Sequence, residues 1–418
     1  MSNSTDIIPL LQQCKTASRR IKQLPDSERS ALVAALGLAI TNGMPQILAA
    51  NHTDLEAMPA DHPMRDRLLL TPQRLEAIAK ATEMVAALPT PVGRVLRTYH
   101  HPNGLLIQAE TVPLGVVGAI YEARPNVTAD IAALCLRSGN AVVLKGGSDA
   151  DHSNRAIVQV LGDVLEQYGL PRAIITLLPP DRSYLKTLLQ ADGYVDVLIP
   201  RGSQALIDFV RREATVPVIE TGAGVCHTYV HASANLQMAL QIVTNAKTQR
   251  PSVCNALDTI LVDEAVAAAF IPLLPAAFAP FGVGVFADSV AYSLLQQAGY
   301  DNLKPALPAD FGREFLSQQC SLKVVKNLDD ALTHIEAHSS KHSEAIVCSD
   351  AAVAERFLQE VDAAAVYHNA STRFTDGGEF GLGAELGIST QKLHARGPFA
   401  LEKLVCEKWI IRGEGQIR

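Results

Sequence analysis

The chain has no CxxC pair, no cysteine and histidine spacing of the zinc-finger type, and no phosphate loop of the GxxxxGK[ST] form. Its seven cysteines, at 14, 135, 226, 254, 320, 348 and 406, are odd in number and widely scattered, which argues against a disulfide framework and for reduced thiols in the cytoplasm. Without the phosphate loop, a kinase of that class is set aside. Aromatic residues make up 5% of the chain and the net charge is −7, with no basic stripe interleaved with aromatics, so a nucleic-acid binder is not expected. The opening segment, MSNSTDIIPLLQQCKTASRRIKQ, has too short an apolar run for a secretory signal or an anchor and is expected to stay on the mature protein. No internal repeat or low-complexity linker is present.

One uncharged stretch is long enough to cross a bilayer: residues 265 to 287, AVAAAFIPLLPAAFAPFGVGVFA. Pro272, Pro275 and Pro280 interrupt it, each removing a backbone donor that lipid cannot replace, so a buried helix, a turn and a strand over VGVF are expected instead. With 418 residues, 48% of them hydrophobic, the chain has material for two or three cores.

Apolar residues recur at helical spacing from Ile7 to Leu24, from Ser27 to about Met58 and from Pro72 to Leu88, and Thr71-Pro72 is a good helix start. From Gly104 the pattern changes to strands alternating with helices. The strand-like runs are GLLIQAE, GVVGAIY, AVVLK, AIITLLP, YVDVLIP and VPVIE, followed after residue 254 by DTILV, VGVF, LKVV, EAIVCSD and AAVYHN. Such alternation predicts mostly parallel sheets covered on both faces, in two α/β domains. GLGAELG (381 to 387) does not have the GxGxxG spacing, follows no clear strand, and reads as a turn.

Two local patterns carry chemistry. Cys254, in KTQRPSVCNALD, has Lys247 and Arg250 within seven residues, and nearby cations favour the thiolate that acts as a nucleophile; a small buried hydrophobe is the alternative. Lys145-Gly146-Gly147-Ser148 closes a strand just before a helix that starts near Asp149, which sets a cation and a helix N-terminus together as a seat for phosphate or ribose hydroxyls; an ordinary βα turn is the alternative.

Several blocks resemble the aldehyde dehydrogenase superfamily: PLGVVG followed by GNAVVLK, VIETGAG (218 to 224), and Cys254 some thirty residues later. More narrowly, VVKNLDDALTHIEAHSSKHSEAI (324 to 346), EARPNVT (122 to 128), LIPRGS (198 to 203), ETGAGVCH (220 to 227) and the ending ARGPFALEKL…IIRGEGQIR are similar to the gamma-glutamyl phosphate reductase family. The resemblance implies an aldehyde-dehydrogenase-like α/β fold with two Rossmann-like domains and a β oligomerisation arm. It also implies reduction of L-glutamyl 5-phosphate by NADPH through a cysteine thioester, with release of phosphate, as the second step of proline biosynthesis.

The resemblance assigns residues as follows. Cys254 is the nucleophile. Lys145 contacts the adenosine ribose or its phosphate, with Gly146 beside it; Ser148 stands where NAD-preferring relatives often carry an acidic residue, which favours NADPH. Gly202 and Ser203 resemble the turn under the cofactor's diphosphate, and Glu314 is a candidate for the nicotinamide ribose, or a solvated helix glutamate. Glu220 is either a proton relay or structural. Asn126 is a candidate oxyanion donor, although the two extra residues in EARPN leave Arg124 as the alternative.

The substrate's anions make Arg124, Arg201, Arg250 and Arg373 candidate partners, since a guanidinium binds carboxylate and phosphate in a bidentate manner; a surface role is open for each. His342 is either a ligand contact or a loop residue. His334, His338 and His342, at four-residue intervals on a helix, would suggest a metal, but no carboxylate set accompanies them and none is expected.

Expected boundaries are a cofactor domain over 1–248 with a chain return at about 392–405, a catalytic domain over 249–391, and an arm from 95–112 and 406–418. The arm's exposed strands predict a homodimer or homotetramer. Association with a glutamate 5-kinase is an open possibility, because the acyl phosphate is unstable.

Overall fold

The computed structural model describes residues 6–59, 62, 65–122 and 124–418. Contacts divide the chain into two compact units: 1–221 with 381–387 and 398–418, and 222–380 with 388–397.

The first unit opens with α1 (Ile8–Gln23), α2 (Asp26–Asn42), α3 (Met44–Glu56), the short α4 (Arg65–Leu68) and α5 (Pro72–Ala87). Thr71 caps α5 by accepting the Arg74 N–H at 3.2 Å, with Pro72 at the position where a missing N–H costs nothing. The single helix expected from Ser27 to about Met58 is broken in two. Gly43 sits at the break, where a Cβ would come within 2.7 Å of Val160, and Pro45 follows in the first turn of α3. The axes on either side differ by 65°.

Next come β1 (Val95–His100), β2 (Leu106–Pro113), β3 (Val116–Tyr121), α6 (Pro125–Arg137), β4 (Ala141–Lys145), α7 (Asp151–Gln167), β5 (Ile175–Leu177), α8 (Ser183–Leu189), β6 (Val197–Arg201) and α9 (Gln204–Glu213). Strands β5, β4, β3 and β6 form a parallel sheet in that order. All residues of β3 and β4 are buried, as near-continuous apolar runs with helices on both faces require. VPVIE, expected as a strand, contributes only an isolated bridge from Val218 to Leu198. Pro217 cannot donate; its carbonyl takes the Leu198 N–H, Ile219 returns one bond, and the ladder stops there.

The second unit contains β7 (Cys226–Val230), α10 (Leu236–Thr248), β8 (Leu257–Asp263), α11 (Glu264–Phe270), α12 (Leu274–Phe278), β9 (Gly284–Ala287), α13 (Ser289–Gln297), β10 (Leu303–Pro305), β11 (Gln319–Val325), α14 (Leu328–His338), β12 (Ser343–Val347), α15 (Ala351–Glu360) and β13 (Ala365–His368). Seven parallel strands run in the order β10-β9-β11-β8-β7-β12-β13. The boundary between units therefore falls at Thr221/Gly222 and not at residue 248, because β7 and α10 belong to this sheet and its helical cover. The chain then runs through β14 (Glu385–Ser389) and β15 (Gly397–Ala400) to β16 (Val405–Arg412). GLGAELG is thus a turn only in its first half; Glu385 onward is strand.

GLLIQAE, placed above in the alternating series, instead lies in an antiparallel sheet of the first unit, ordered β1-β2-β16. The hairpin joining β1 to β2 turns at His101–Gly104, where Gly104 has φ +95° and donates to the His101 carbonyl. All six residues of β1 are exposed, and so are Trp409 and Ile411 of β16.

The uncharged stretch becomes α11, a 3₁₀ turn, α12 and β9, with Phe270, Leu274 and Phe278 wholly buried in the core of the second unit. Phe270→Ala should therefore cost about 3–5 kcal/mol. Chemical denaturation followed by a probe in the second unit would show it, and an unchanged transition would mean that this face is not core.

Candidate active site

Cys254 lies in the turn between α10 and β8 and is half-buried. Among the seven thiols, Cys14, Cys135, Cys226, Cys320 and Cys348 are buried and Cys406 is exposed. Burial pushes Cys14 and Cys320 up to about 12, so those thiols stay protonated.

Backbone packing places the turn. A Cβ on Gly224 would overlap the Cys254 carbonyl, so only glycine admits this approach. The Cys226 thiol donates to that same carbonyl at 3.2 Å. The next residue is fastened too: the Asn255 amide donates to the carbonyls of Arg373 (3.3 Å) and Thr375 (3.0 Å), Thr372 Oγ1 donates to the Asn255 carbonyl at 2.8 Å, and the Arg373 guanidinium donates to Asn255 Oδ1. Arg373 is thereby oriented beside the Cys254 turn, and its Nε reaches Gln249 at 3.1 Å. Burial lowers the Arg373 pKa, the charge of Arg250 lowers it further, and Cys254 acts in the opposite sense. Asp376 raises it as well, so Arg373 stands between one like charge and one carboxylate near the thiol, and a guanidinium is a donor suited to anions.

The histidine-rich motif braces this loop. Ser340 Oγ accepts the Val225 N–H at 2.8 Å, and Glu344 takes both the His227 N–H (2.9 Å) and His227 Nδ1 (3.0 Å) while Ser339 donates to its other oxygen. Ser343 and Tyr367 meet at Thr375 Oγ1. His342 is fully buried, bonded to Ser343 Oγ at 2.8 Å and 3.9 Å from the Cys226 sulfur. This corrects the expectation that it contacts substrate: no surface is left to do so, and burial lowers its pKa to about 4. Nor do the three histidines share a helix. α14 ends at His338, and Lys341, at φ +64°, turns the chain, so that His342 immediately precedes β12. Among the described residues no group of three or more His, Cys, Asp or Glu could hold a metal.

Lys247 lies inside the second unit. It is fully buried, donates to the carbonyls of Gln319 (2.7 Å) and Ser317 (3.2 Å), and lies 3.7 Å from Asp258. Burial pushes Asp258 up to about 7 against the pull of Lys247 and of the Phe315 N–H that it accepts at 3.0 Å. Glu314, adjacent to Phe315, lies in an extended loop and not on a helix, and accepts the Gly224 N–H at 3.0 Å.

In the first unit, a cavity of about 750 Å³ opens at the carboxyl ends of the parallel strands, the usual place for a ligand in such a sheet. Lys145, Gly146, Ser148 and Ser203 line it, together with Glu122 and the start of α8. Lys145 is nearly buried and donates only to the carbonyls of Gly146 (3.1 Å) and Pro180 (2.8 Å). Ser203 caps α9, accepting the Leu206 N–H at 3.4 Å, and its own N–H goes to Glu122 at 2.9 Å. Gly202 has no room for a side chain, since a Cβ would meet Glu122 at 2.6 Å. A lysine bonded to carbonyls, a helix N-terminus and a groove of this size fit a dinucleotide.

Glu220 lies at the end of the first unit's main segment, 3.6 Å from Arg211 of α9. Asn126, in the first turn of α6, spends one amide N–H on Asp130 at 3.2 Å. Burial pushes Asp130 up to about 6, with Asn126 and Arg201 opposing. Arg201 packs against Gly387 and Arg124 precedes α6. Asp130, Asn255 and Asp258 were not singled out from the sequence. The i, i+4 spacing of Asn126 and Asp130 was a usable signal, whereas the partners of Asn255 lie more than a hundred residues away.

Asp130 yields a pH prediction. Its folded pKa of about 6 lies above the ordinary 3.8, so the folded state holds the extra proton and stability falls as pH rises through that window. Asp130→Asn should flatten that part of the stability profile, as melts across the pH range would show. Gly224→Ala must displace the Cys254 peptide and should lower kcat by about 10²-fold with nucleotide affinity retained; unaltered kcat would mean that the contact is not needed.

A model of the aldehyde dehydrogenase family matches residues 1–301. The gamma-glutamyl phosphate reductase of Chlorobaculum parvum is 52% identical over 419 residues, covering all of both chains. That of Bacteroides fragilis is 50% identical over 97% of each chain. The crystal structure of gamma-glutamyl phosphate reductase from Thermotoga maritima superposes with a TM-score of 0.94 at 39% identity, covering 99% of each chain. A turn that presents a half-buried thiol beside two arginines, carried on this fold and at this level of identity along its whole length, places the chain in the aldehyde dehydrogenase family, among the gamma-glutamyl phosphate reductases.

Proposed function

We propose that this protein reduces L-glutamyl 5-phosphate to L-glutamate 5-semialdehyde with NADPH, releasing phosphate, as the second step of proline biosynthesis from glutamate. It is an oxidoreductase, a glutamate-5-semialdehyde dehydrogenase by its reverse reaction. The observation that carries the finer reading is the fixed, half-buried Cys254 with Arg250 and Arg373 as its cationic neighbours.

A carboxylate is a poor electrophile, and the acyl phosphate supplies the leaving group that makes attack by a thiolate productive. Cys254 attacks the gamma-acyl carbon, the bond to the phosphate oxygen breaks, and a thioester remains. Arg250 and Arg373 receive the departing anion. The reduced nicotinamide, when bound, supplies a hydride to the thioester carbon, and the chain orients it through Lys145, Gly146 and Ser148 at the adenosine end, Gly202 and Ser203 at the diphosphate, and Glu314 at the nicotinamide ribose. The Asn126 amide or the Arg124 guanidinium stabilises the oxyanion, and Arg201 serves the alpha-carboxylate. Breaking the carbon–sulfur bond then frees the aldehyde and restores the thiolate. Glu220, paired with Arg211, is not required as a hydrolytic base, since water attack on the thioester would waste substrate.

Seven free cysteines suit a cytoplasmic enzyme. The uncovered β1 and the apolar side chains of β16 suit pairing with a second subunit, which makes a homodimer or homotetramer the expected form. Association with a glutamate 5-kinase would shorten the life of the free acyl phosphate.

Cys254→Ser should lower turnover by at least about 10³-fold while nucleotide binding persists. Cys226→Ser, which can still donate to the Cys254 carbonyl, should stay active. Without nucleotide, the unaltered protein should release one phosphate per active chain from the acyl phosphate, and Cys254→Ser none. In reverse, NADP reduction by the semialdehyde must require inorganic phosphate; reduction without it would assign a hydrolytic dehydrogenase instead.

A further inference from the structure

Arg373 is held in place without being neutralised. Its Nε donates to Gln249 Oε1 at 3.1 Å and its Nη1 to Asn255 Oδ1. Both acceptors are amide oxygens, which fix the plane of a guanidinium and leave its charge whole, whereas a carboxylate at either place would form an ion pair and cancel it. Asp376, whose charge acts on Arg373, is exposed and accepts the Gly378 N–H at 2.9 Å. Among the described residues Nη2 of Arg373 has no hydrogen-bond partner.

The fold fixes where Gln249 stands. α10 ends at Thr248, and Gln249 caps it with an N–H that still donates to the Asn245 carbonyl at 3.2 Å. Two residues earlier, Lys247 anchors the last turn from inside through the carbonyls of Ser317 and Gln319, and the Gln318 amide donates to the Thr248 carbonyl at 3.5 Å. The Gln249 side chain itself is exposed, and among the described residues it bonds only Arg373. An exposed bond of this kind adds little to stability. Holding the fork of an arginine in place, by contrast, removes ordering that would otherwise accompany the binding of an anion.

We propose that Gln249 is a positioning residue for phosphate: with Asn255 it presents Arg373 to the phosphate that leaves in the forward reaction and attacks in the reverse one, and it keeps Nη2 and the charge of the guanidinium for that anion. The proposal rests on the phosphate reading of Arg373 given above. Glutamine suits the task because it orients through an oxygen that carries no net charge. Leucine there would let the fork swing, and glutamate would compete with the phosphate.

Reverse-reaction kinetics with inorganic phosphate varied test this. Gln249→Leu should raise the KM for phosphate about ten-fold, the scale of one charge-assisted contact, and leave the KM values for the semialdehyde and NADP within about two-fold. Gln249→Glu keeps an oxygen for Nε and pairs with it at least as firmly, so the melting temperature should not fall. Its KM for phosphate should nevertheless rise further, by about thirty-fold or more, because the added charge opposes the anion. Added salt should narrow the gap between the two variants. A glutamine that only braced the turn predicts the opposite order, with Gln249→Leu lower in kcat and melting temperature and Gln249→Glu close to the unaltered protein; that result overturns the proposal, as does an unchanged KM for phosphate in both variants. Arg373→Ala separates this role from the reading beneath it. If it leaves the KM for phosphate unaltered, the phosphate reading of Arg373 fails and the role of Gln249 with it; if it raises that KM while the Gln249 variants do not, only the positioning role fails.

Discussion

The turn that carries Cys254 hangs on a contact between two stretches of backbone. The Cys254 carbonyl lies where a side chain at residue 224 would be, and the Cys226 thiol donates to the same carbonyl. Because a carbonyl cannot yield as a flexible side chain can, the position of the Cys254 Cα is set by the course of residues 222 to 226, which continues directly into β7 of a seven-stranded sheet. Reactive groups on loops need this kind of rigid support. Asn255 holds the other side: its amide and carbonyl are all engaged by 372–375, so the turn is gripped from both ends and Arg373 is carried along with it.

The cations divide into those that build and those that bind. Lys247 and Arg250 are three residues apart and looked equivalent in the sequence, yet the helix sends Lys247 inward to two carbonyls and Asp258, and leaves Arg250 exposed near Arg373. A buried ammonium must be paired or neutralised, so Lys247 is spent on structure, and removing it would strand Asp258. Arg250 and Arg373 have no such obligation to each other. Their charges act on each other, with Asp376 offsetting part of the effect at Arg373, and in the proposed reaction the phosphate would be the anion that meets them.

Much of this was legible in the residues. The alternation of apolar runs led to parallel α/β sheets in two units, the prolines of 265–287 led to short helices, and the spacing around Cys254 led to the nucleophile assignment. The errors have physical causes. Gly43 is ordinary in a helical pattern until Val160 closes in on it from α7. Pro217 is compatible with a strand edge, but no partner strand is offered beyond Leu198. The boundary at residue 248 followed from Cys254 being near a seam, whereas β7, some thirty residues earlier, already pairs with β8. His342 was open as a ligand contact or a loop residue, in a motif singled out by resemblance. Here its imidazole is buried beneath Cys226, a long-range fact that no local spacing encodes.

That burial also bears on the mechanism. His334 and His342 have pKa values lowered to about 2 and about 4, the first by desolvation and by the charges of His227, Lys323 and His338 and the second by desolvation, so both imidazoles stay neutral. A hydrolase would suffer from this, because a departing amine or alkoxide must be protonated as it leaves. In the proposed reaction the phosphate leaves the acyl carbon as a stable anion and needs positive charge more than a proton. Two arginines beside a fixed thiol meet that need, and a general acid at the leaving group would add little. The buried histidines then serve as packing beside Cys226 and Lys323, which is how a motif so rich in titratable groups contributes rigidity around the loop that carries Cys254.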